Sequence, residues 1–249
     1  MDDTAMEATV GQAFIEMDSN TLNGNQFSRI TFGQDVKVQA NADSLDLGYN
    51  YNGDLDFSDT DFSATNLSLG YIDTATNTIV PFEFTNPYFE WVTDASNNMV
   101  GFRVGADQTI GKLQMDLTSF SGHIDMIIDG QAAALFTGAA GTQTNSRATY
   151  IGDSTKACVD GTSCVSLANI QSLDVGDSDG INSTGDFFLS FQKTSLNWLL
   201  SDNITERTAT KGFFMNIPTS NNITISGTDS GTAGYAVEFI DRGVGRWNN

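Results

Sequence analysis

The feature that most constrains this chain is a side-chain period of two that returns along nearly its whole length. Val36, Val38 and Ala40 alternate with Asp35, Lys37 and Gln39. Leu45, Leu47, Tyr49 and Tyr51 alternate with Asp46, Gly48 and Asn50. Leu113, Met115 and Leu117 face away from Lys112, Gln114 and Asp116, and Ile124, Met126 and Ile128 repeat the habit. Phe187, Leu189 and Phe191, then Ile223 and Ile225, then Val237 and Phe239 carry it onward. Successive side chains on a strand point to opposite faces, so this pattern describes half-buried β-strands. Turn-forming clusters such as Asn52-Gly53, Asn97-Asn98 and Asp229-Ser230-Gly231 separate the runs. The acids agree: 25 Asp stand against 6 Glu, with 21 Asn and 5 Lys. Asp and Asn bond to nearby backbone in turns, whereas Glu and Lys favour helices.

The expected fold is all-β, a single large antiparallel sandwich or jelly roll over residues 18–249. A β-solenoid is the alternative, because Leu45-Asp-Leu47, Leu55-Asp-Phe57 and Leu67-Ser-Leu69 sit 10 and 12 residues apart. That spacing is not sustained after residue 70. Residues 1–17 form an N-terminal unit: a short helix over 2–11, capped by Asp2 or Asp3 and stopped by Gly11, then a strand. Two segments interrupt the period. Residues 131–144 are small and uncharged and read as including a flexible loop. Residues 194–201 read as one or two helical turns with Leu196, Leu199 and Leu200 inward.

A net charge of −20 makes nucleic acid and anionic membranes poor partners, since phosphate binding needs clustered Lys and Arg. It suits divalent cations. The chain has no run of about 18 apolar residues, so no helical membrane span is expected. Its two cysteines, Cys158 and Cys164, flank an Asp160-Gly161 turn signal with five residues between them. The spacing is not a redox CxxC pair, and no second Cys or His pair offers a zinc site. A disulfide is the economical reading, stabilising by about 2 kcal/mol because the loop is short. It implies an oxidising location: secreted, extracellular or cell-surface, with a signal peptide removed.

Residues that carry chemistry are few. His123, the only histidine, opens a strand and has no nucleophile motif beside it. Glu83, Glu90 and Glu238 are the acids a glycosidase pair would draw on. Each lies in an alternating strand, where a solvent-facing or cross-strand partner is the default, and no enzyme is expected. Asp174, Asp177, Asp179 and Gly180, with Asp186 as a closing ligand, resemble the front half of a calcium loop, although a plain Asp-rich turn has the same composition. Tyr88, Phe89 and Trp91 form the densest aromatic run, a candidate sugar-stacking platform or interface. Sequons at Asn66, Asn182, Asn203 and Asn222 are as many as chance supplies.

The opening Asp2-Asp-Thr-Ala-Met6-Glu-Ala-Thr-Val10-Gly11-Gln12 resembles the mature start of a family of exported proteobacterial proteins, most without an assigned function. Their chains begin with an Asp-rich helix ending in Gly-Gln, and some carry pilus or filament labels. Asn86-Pro-Tyr-Phe-Glu-Trp91, Gly101-Phe-Arg-Val-Gly105 and Asp241-Arg-Gly-Val-Gly245 share the likeness. Met6 and the Thr9-Val10 order depart from the family's usual Leu and Val-Thr. The resemblance implies export and a β-rich fold, and brings no catalytic residues. The functional expectation is a structural subunit of an extracellular filament or matrix, self-associating into a homopolymer by β-strand addition. Five Lys and 3 Pro leave its sheet edges poorly defended. Ala13, Phe14, Ile15 and Met17 would form the donated strand and the subunit interface. The rival is a calcium-dependent glycan- or surface-binding module of the adhesin or biofilm kind.

Overall fold

The computed structural model describes residues 15–48, 60–73, 75–177 and 182–225. Short turns set its first pairings. Asn23 and Gly24 both take positive φ, 51° and 80°, the geometry that twists in step with two flanking strands. They fold β1 (Ile15–Leu22) back onto β2 (Asn25–Phe32). Asp129 and Gly130, at 52° and 78°, do the same for β10 (Gly122–Ile128) and β11 (Gln131–Phe136). β8 (Phe82–Thr93) turns into β9 (Met99–Phe120) through Asp94, whose carboxylate accepts from the backbone N–H groups of Ser96 and Asn98.

β9 organises the molecule. It is 22 residues long and serves two sheets in succession. Its first half pairs with β8 and β15 (Phe188–Gln192); its second half pairs with β5 (Phe62–Leu69) and β14 (Ser172–Val175). Gly111, at φ 150°, lies at the changeover, and a Cβ there would sit 2.8 Å from the Phe82 ring. β18 (Gly212–Ile223) behaves likewise, pairing antiparallel with β15 and β14 and parallel with β10. All other strand pairs are antiparallel among the described residues. Strands that bend from one sheet into another make the corners of a sandwich. Between the layers lie Phe62, Phe82, Leu117, Phe120, Met126 and Phe213, each almost wholly buried.

The fold is thus all-β and sandwich-like, and the solenoid alternative is set aside. β4 (Ala40–Leu47) runs antiparallel to β5, with Leu45 opposite Ala64. Solenoid rungs stack in parallel, whereas the strands that carry Leu45-Leu47 and Leu67-Leu69 are antiparallel neighbours; Leu55-Phe57 lies outside the described residues. The expected helix over 2–11 lies outside the described residues. Within residues 131–144, 131–136 are strand, because the Asp129-Gly130 turn directs them along β10, and a loop follows from 137. One local reading is corrected. Residues 196–199 form β16 (Leu196–Leu199), which pairs with β17 (Glu206–Ala209), rather than helical turns. Leu196 and Trp198 point the same way at period two. Trp198 is fully buried against Phe27 and Phe188, and that contact decides the conformation.

Candidate functional site

Two phrases from the sequence meet across the β8–β9 ladder. Tyr88 pairs with Gly105, Phe89 with Val104, Glu90 with Arg103, and Trp91 with Phe102. Alternation then sorts them by face. Tyr88, Glu90, Gly101, Arg103 and Gly105 share one side; Phe89, Trp91, Phe102 and Val104 share the other.

The first face holds a buried charge cluster. Arg103 is only 3% exposed; it donates from Nε to Glu90 Oε2 and from Nη1 to Leu199 O at 2.9 Å. Arg29, on β2 and 27% exposed, approaches Glu90 Oε1 at 3.4 Å. Two guanidiniums therefore share one carboxylate, and burying that many charges is tolerable only because all three are paired. The Arg29 guanidinium also lies 3.9 Å above the Tyr88 ring. Burial raises the Tyr88 phenol above its usual range, more than the two nearby arginines lower it. The glycines make room: a Cβ on Gly105 would sit 2.6 Å from Tyr88 Oη, and one on Gly101 would sit 2.6 Å from Leu196. The β16–β17 hairpin covers this cluster on its inner side through Trp198, whose ring is 5.0 Å from the Arg103 guanidinium.

Two adjoining clefts, of about 270 and 280 Å³, open above the cluster. Both are lined by Arg29, Arg103, Leu199 and Asn203. One runs toward Asp107, Gln108 and Asp186, the other toward Asp18 and Asn20 on β1. Together they form a polar groove over Arg29. Its far wall is the β16–β17 turn, where Asp202 accepts from the N–H groups of Ile204 and Thr205 and Asn203 takes φ 56°.

The opposite face is apolar. The register sets Met17, Ile30, Phe89, Val104 and Leu189 in one row across five strands, ending at buried Met215 on β18. Beside it run Trp91, Phe102, Phe191 and Phe213. Phe89 stacks on Phe102 at 5.5 Å and Phe102 on Phe191 at 5.2 Å. The row is buried at the β18 end and opens toward β1, where Val104 is 44%, Ile15 52% and Met17 70% exposed.

The residues singled out from sequence divide as follows. Cys158 and Cys164 are joined, and their disulfide packs on Phe136. Of the aromatic run, Tyr88 lies under the groove while Phe89 and Trp91 belong to the other face. Ile15 and Met17 pair with Phe32 and Ile30 of their own chain, as the Asn23-Gly24 turn requires. Ala13 and Phe14 lie outside the described residues. Asp174 sits on β14, 3.5 Å from Lys112, with its N–H donating to Asn221 Oδ1. Asp186 accepts from the Ser201 N–H at 2.7 Å and faces the groove. The Asp177 N–H donates to the Asn182 carbonyl. Asp179 and Gly180 lie outside the described residues, among which no group of three His, Cys, Asp or Glu side chains is placed to hold a metal. Glu83 pairs with exposed Lys37 at 2.7 Å, and Glu238 lies outside the described residues. His123, on β10, is neutral at pH 7: burial first, then the Arg207 charge, lowers its pKa to about 4 against the pull of Asp125.

Sequence reasoning did not find the groove. Arg29, Arg103 and Asn203 carry no local motif that points to a shared site, and they meet only in three dimensions. The available signal was the Glu90 and Arg103 pair within two strongly alternating segments. No family model matches this chain, and no match was found among curated proteins or solved structures.

Proposed function

We propose that this is an exported structural protein that self-associates through the open edge of β1 and the apolar face behind it. One observation carries the reading. β1 is an edge strand, pairing only with β2 among the described residues, and it presents exposed Ile15 and Met17 alternating with the acids Glu16 and Asp18. Its eight residues contain neither Lys nor Pro. The disulfide supports an oxidising location.

The occupant of this edge is a second copy of the chain. An antiparallel β1–β1 contact centred on Ser19 would set Met17 opposite Thr21, and Asp18 opposite Asn20, of the other copy. No acid then faces an acid, so self-pairing avoids the like-charge penalty. Such a contact is closed by its two-fold axis and gives a dimer. Propagation into a fibre or matrix requires the apolar face, which the dimer doubles in extent. β1 remains in its own sheet throughout and accepts a neighbour rather than leaving to join one.

The test is Ser19→Lys, which places two lysines face to face at the axis. Sedimentation and negative-stain microscopy should show associated wild-type protein and a monomeric, folded variant. Equal association of the two would overturn the proposal.

A further inference from the structure

We infer that the groove over Arg29 binds a short, neutral, hydroxyl-rich saccharide. The groove opens on the side of the sheet opposite the apolar row, although its β1 wall, Asp18 and Asn20, lies on the same edge strand through which the chain is proposed to self-associate.

Charge selects the ligand class. The groove is lined by two guanidiniums, Arg29 and Arg103, and four carboxylates, Asp18, Glu90, Asp107 and Asp186, a net −2. The whole chain adds a field of −20. An anion would be repelled on approach and would find only one guanidinium with capacity to spare. A cation fares no better. Glu90 is taken by two arginines, Asp186 accepts the Ser201 N–H, and the Arg29 charge lines both clefts. An apolar ligand would meet only scattered apolar groups, Leu199 and Leu200 with Phe27, Ala106 and the Tyr88 ring, set among polar walls.

A neutral ligand with many groups that both donate and accept fits this inventory. The Asp carboxylates accept, Arg29 donates, and Gln108, Asn20 and Asn203 do both. Sugar hydroxyls meet all three kinds. Arg29 is the centre. Among the described residues its ion pair is made through Nε, and its terminal nitrogens carry no hydrogen bond. Stacking on Tyr88 and the pull of Glu90 hold that fork in place before any ligand arrives. Asp18 is its cross-strand neighbour, yet no ion pair within 4.0 Å joins them. The combined clefts have the few hundred Å³ typical of small-ligand sites.

The experiment titrates the full chain with cellotetraose, maltotetraose and mannotetraose, and with tetragalacturonate as the charged control, following backbone amides by NMR. At least one neutral tetrasaccharide should shift Asp107, Gln108 and Asn203 at millimolar concentration. Tetragalacturonate should bind at least about tenfold more weakly. Arg29→Gln should weaken the neutral ligand about tenfold, as loss of a charge-assisted hydrogen bond does. Gln108→Ala, at an exposed position that leaves the buried cluster intact, should weaken it less; it keeps the test decisive should Arg29→Gln fail to fold. The inference is overturned if no neutral probe moves these amides, if tetragalacturonate binds as well, or if neither variant changes the affinity.

Discussion

At the residue scale, the excess of Asp over Glu has a structural explanation. Asp73, Asp94, Asp153 and Asp202 each turn a carboxylate onto the N–H two residues ahead, an interaction a longer Glu side chain forms poorly. Hydrogen bonds to the charged form hold all four below the usual carboxylate range. Composition disclosed this role, and the Asp-Gly turn between the cysteines disclosed the disulfide, because both are local. The pairing of Arg29, Glu90 and Arg103 is not local and left no trace in composition. Two groups make acid stability separable. His123 titrates near 6.5 when unfolded and about 4 when folded, so the unfolded chain binds the extra proton. Stability should fall as pH drops from about 6.5 to about 4, then stop responding to this group. Asp153, held at about 2 by Lys156 and Thr155 against an ordinary 3.8, stabilises fully above 3.8 and loses its contribution as pH falls toward 2. Urea midpoints against pH should therefore lose the upper limb in His123→Gln and the lower limb in Asp153→Asn. A His123→Gln curve that overlays wild type between 6.5 and 4 would assign that limb to another group.

At the element scale, legibility followed the turns. Strand period is readable throughout, and Asn23-Gly24 and Asp129-Gly130 are strong hairpin signals. They place Ile15–Leu22 on its own neighbour and Gln131–Phe136 in a strand. The Leu196–Leu199 segment was harder. Leu196, Leu199 and Leu200 fit a helical stripe as well as a strand, and four residues are too few for periodicity to arbitrate. Tertiary contact arbitrated, through Trp198. Trp198→Ala should accordingly cost about 3–5 kcal/mol, the range for a large aromatic removed from a filled core. The loss should be felt beyond the hairpin, because Trp198 touches Phe27 on β2 and Phe188 on β15 and backs Arg103. Chemical denaturation would measure the cost, and amide exchange would show whether β2 and β15 loosen with the hairpin. Loosening confined to 196–209 would mean that the hairpin is an appendage rather than part of the core.

At the scale of the whole molecule, the all-β sandwich was legible because alternation, turn chemistry and the excess of Asp over Glu all point the same way. The division of one sheet into a polar groove and an apolar face was not. It depends on register, on Glu90 opposite Arg103 and Phe89 opposite Val104 across the Asp94–Asn98 turn, and on the distant strands β2 and β16 that bring Arg29 and Leu199 to that pair. That division places opposing forces on association. The apolar row from Met17 to Leu189 favours burial against a second copy, at roughly 25 cal/mol per Å² removed from water. A charge of −20 on each copy opposes it. The first term is nearly independent of salt over moderate concentrations. The second is long-ranged, and the screening length shrinks from about 30 Å at 0.01 M to about 10 Å at 0.1 M ionic strength. Association should therefore be weak in dilute buffer and strengthen steeply as sodium chloride is raised toward about 0.1 M, where charges more than about 10 Å apart are already largely screened. Light scattering at fixed protein concentration would follow it. Ser19→Lys should stay dissociated across the same range, because salt lowers repulsion between whole molecules without removing the two lysines from the axis. If wild type associated more strongly in dilute buffer than in salt, attraction between charges rather than the apolar face would be driving the contact.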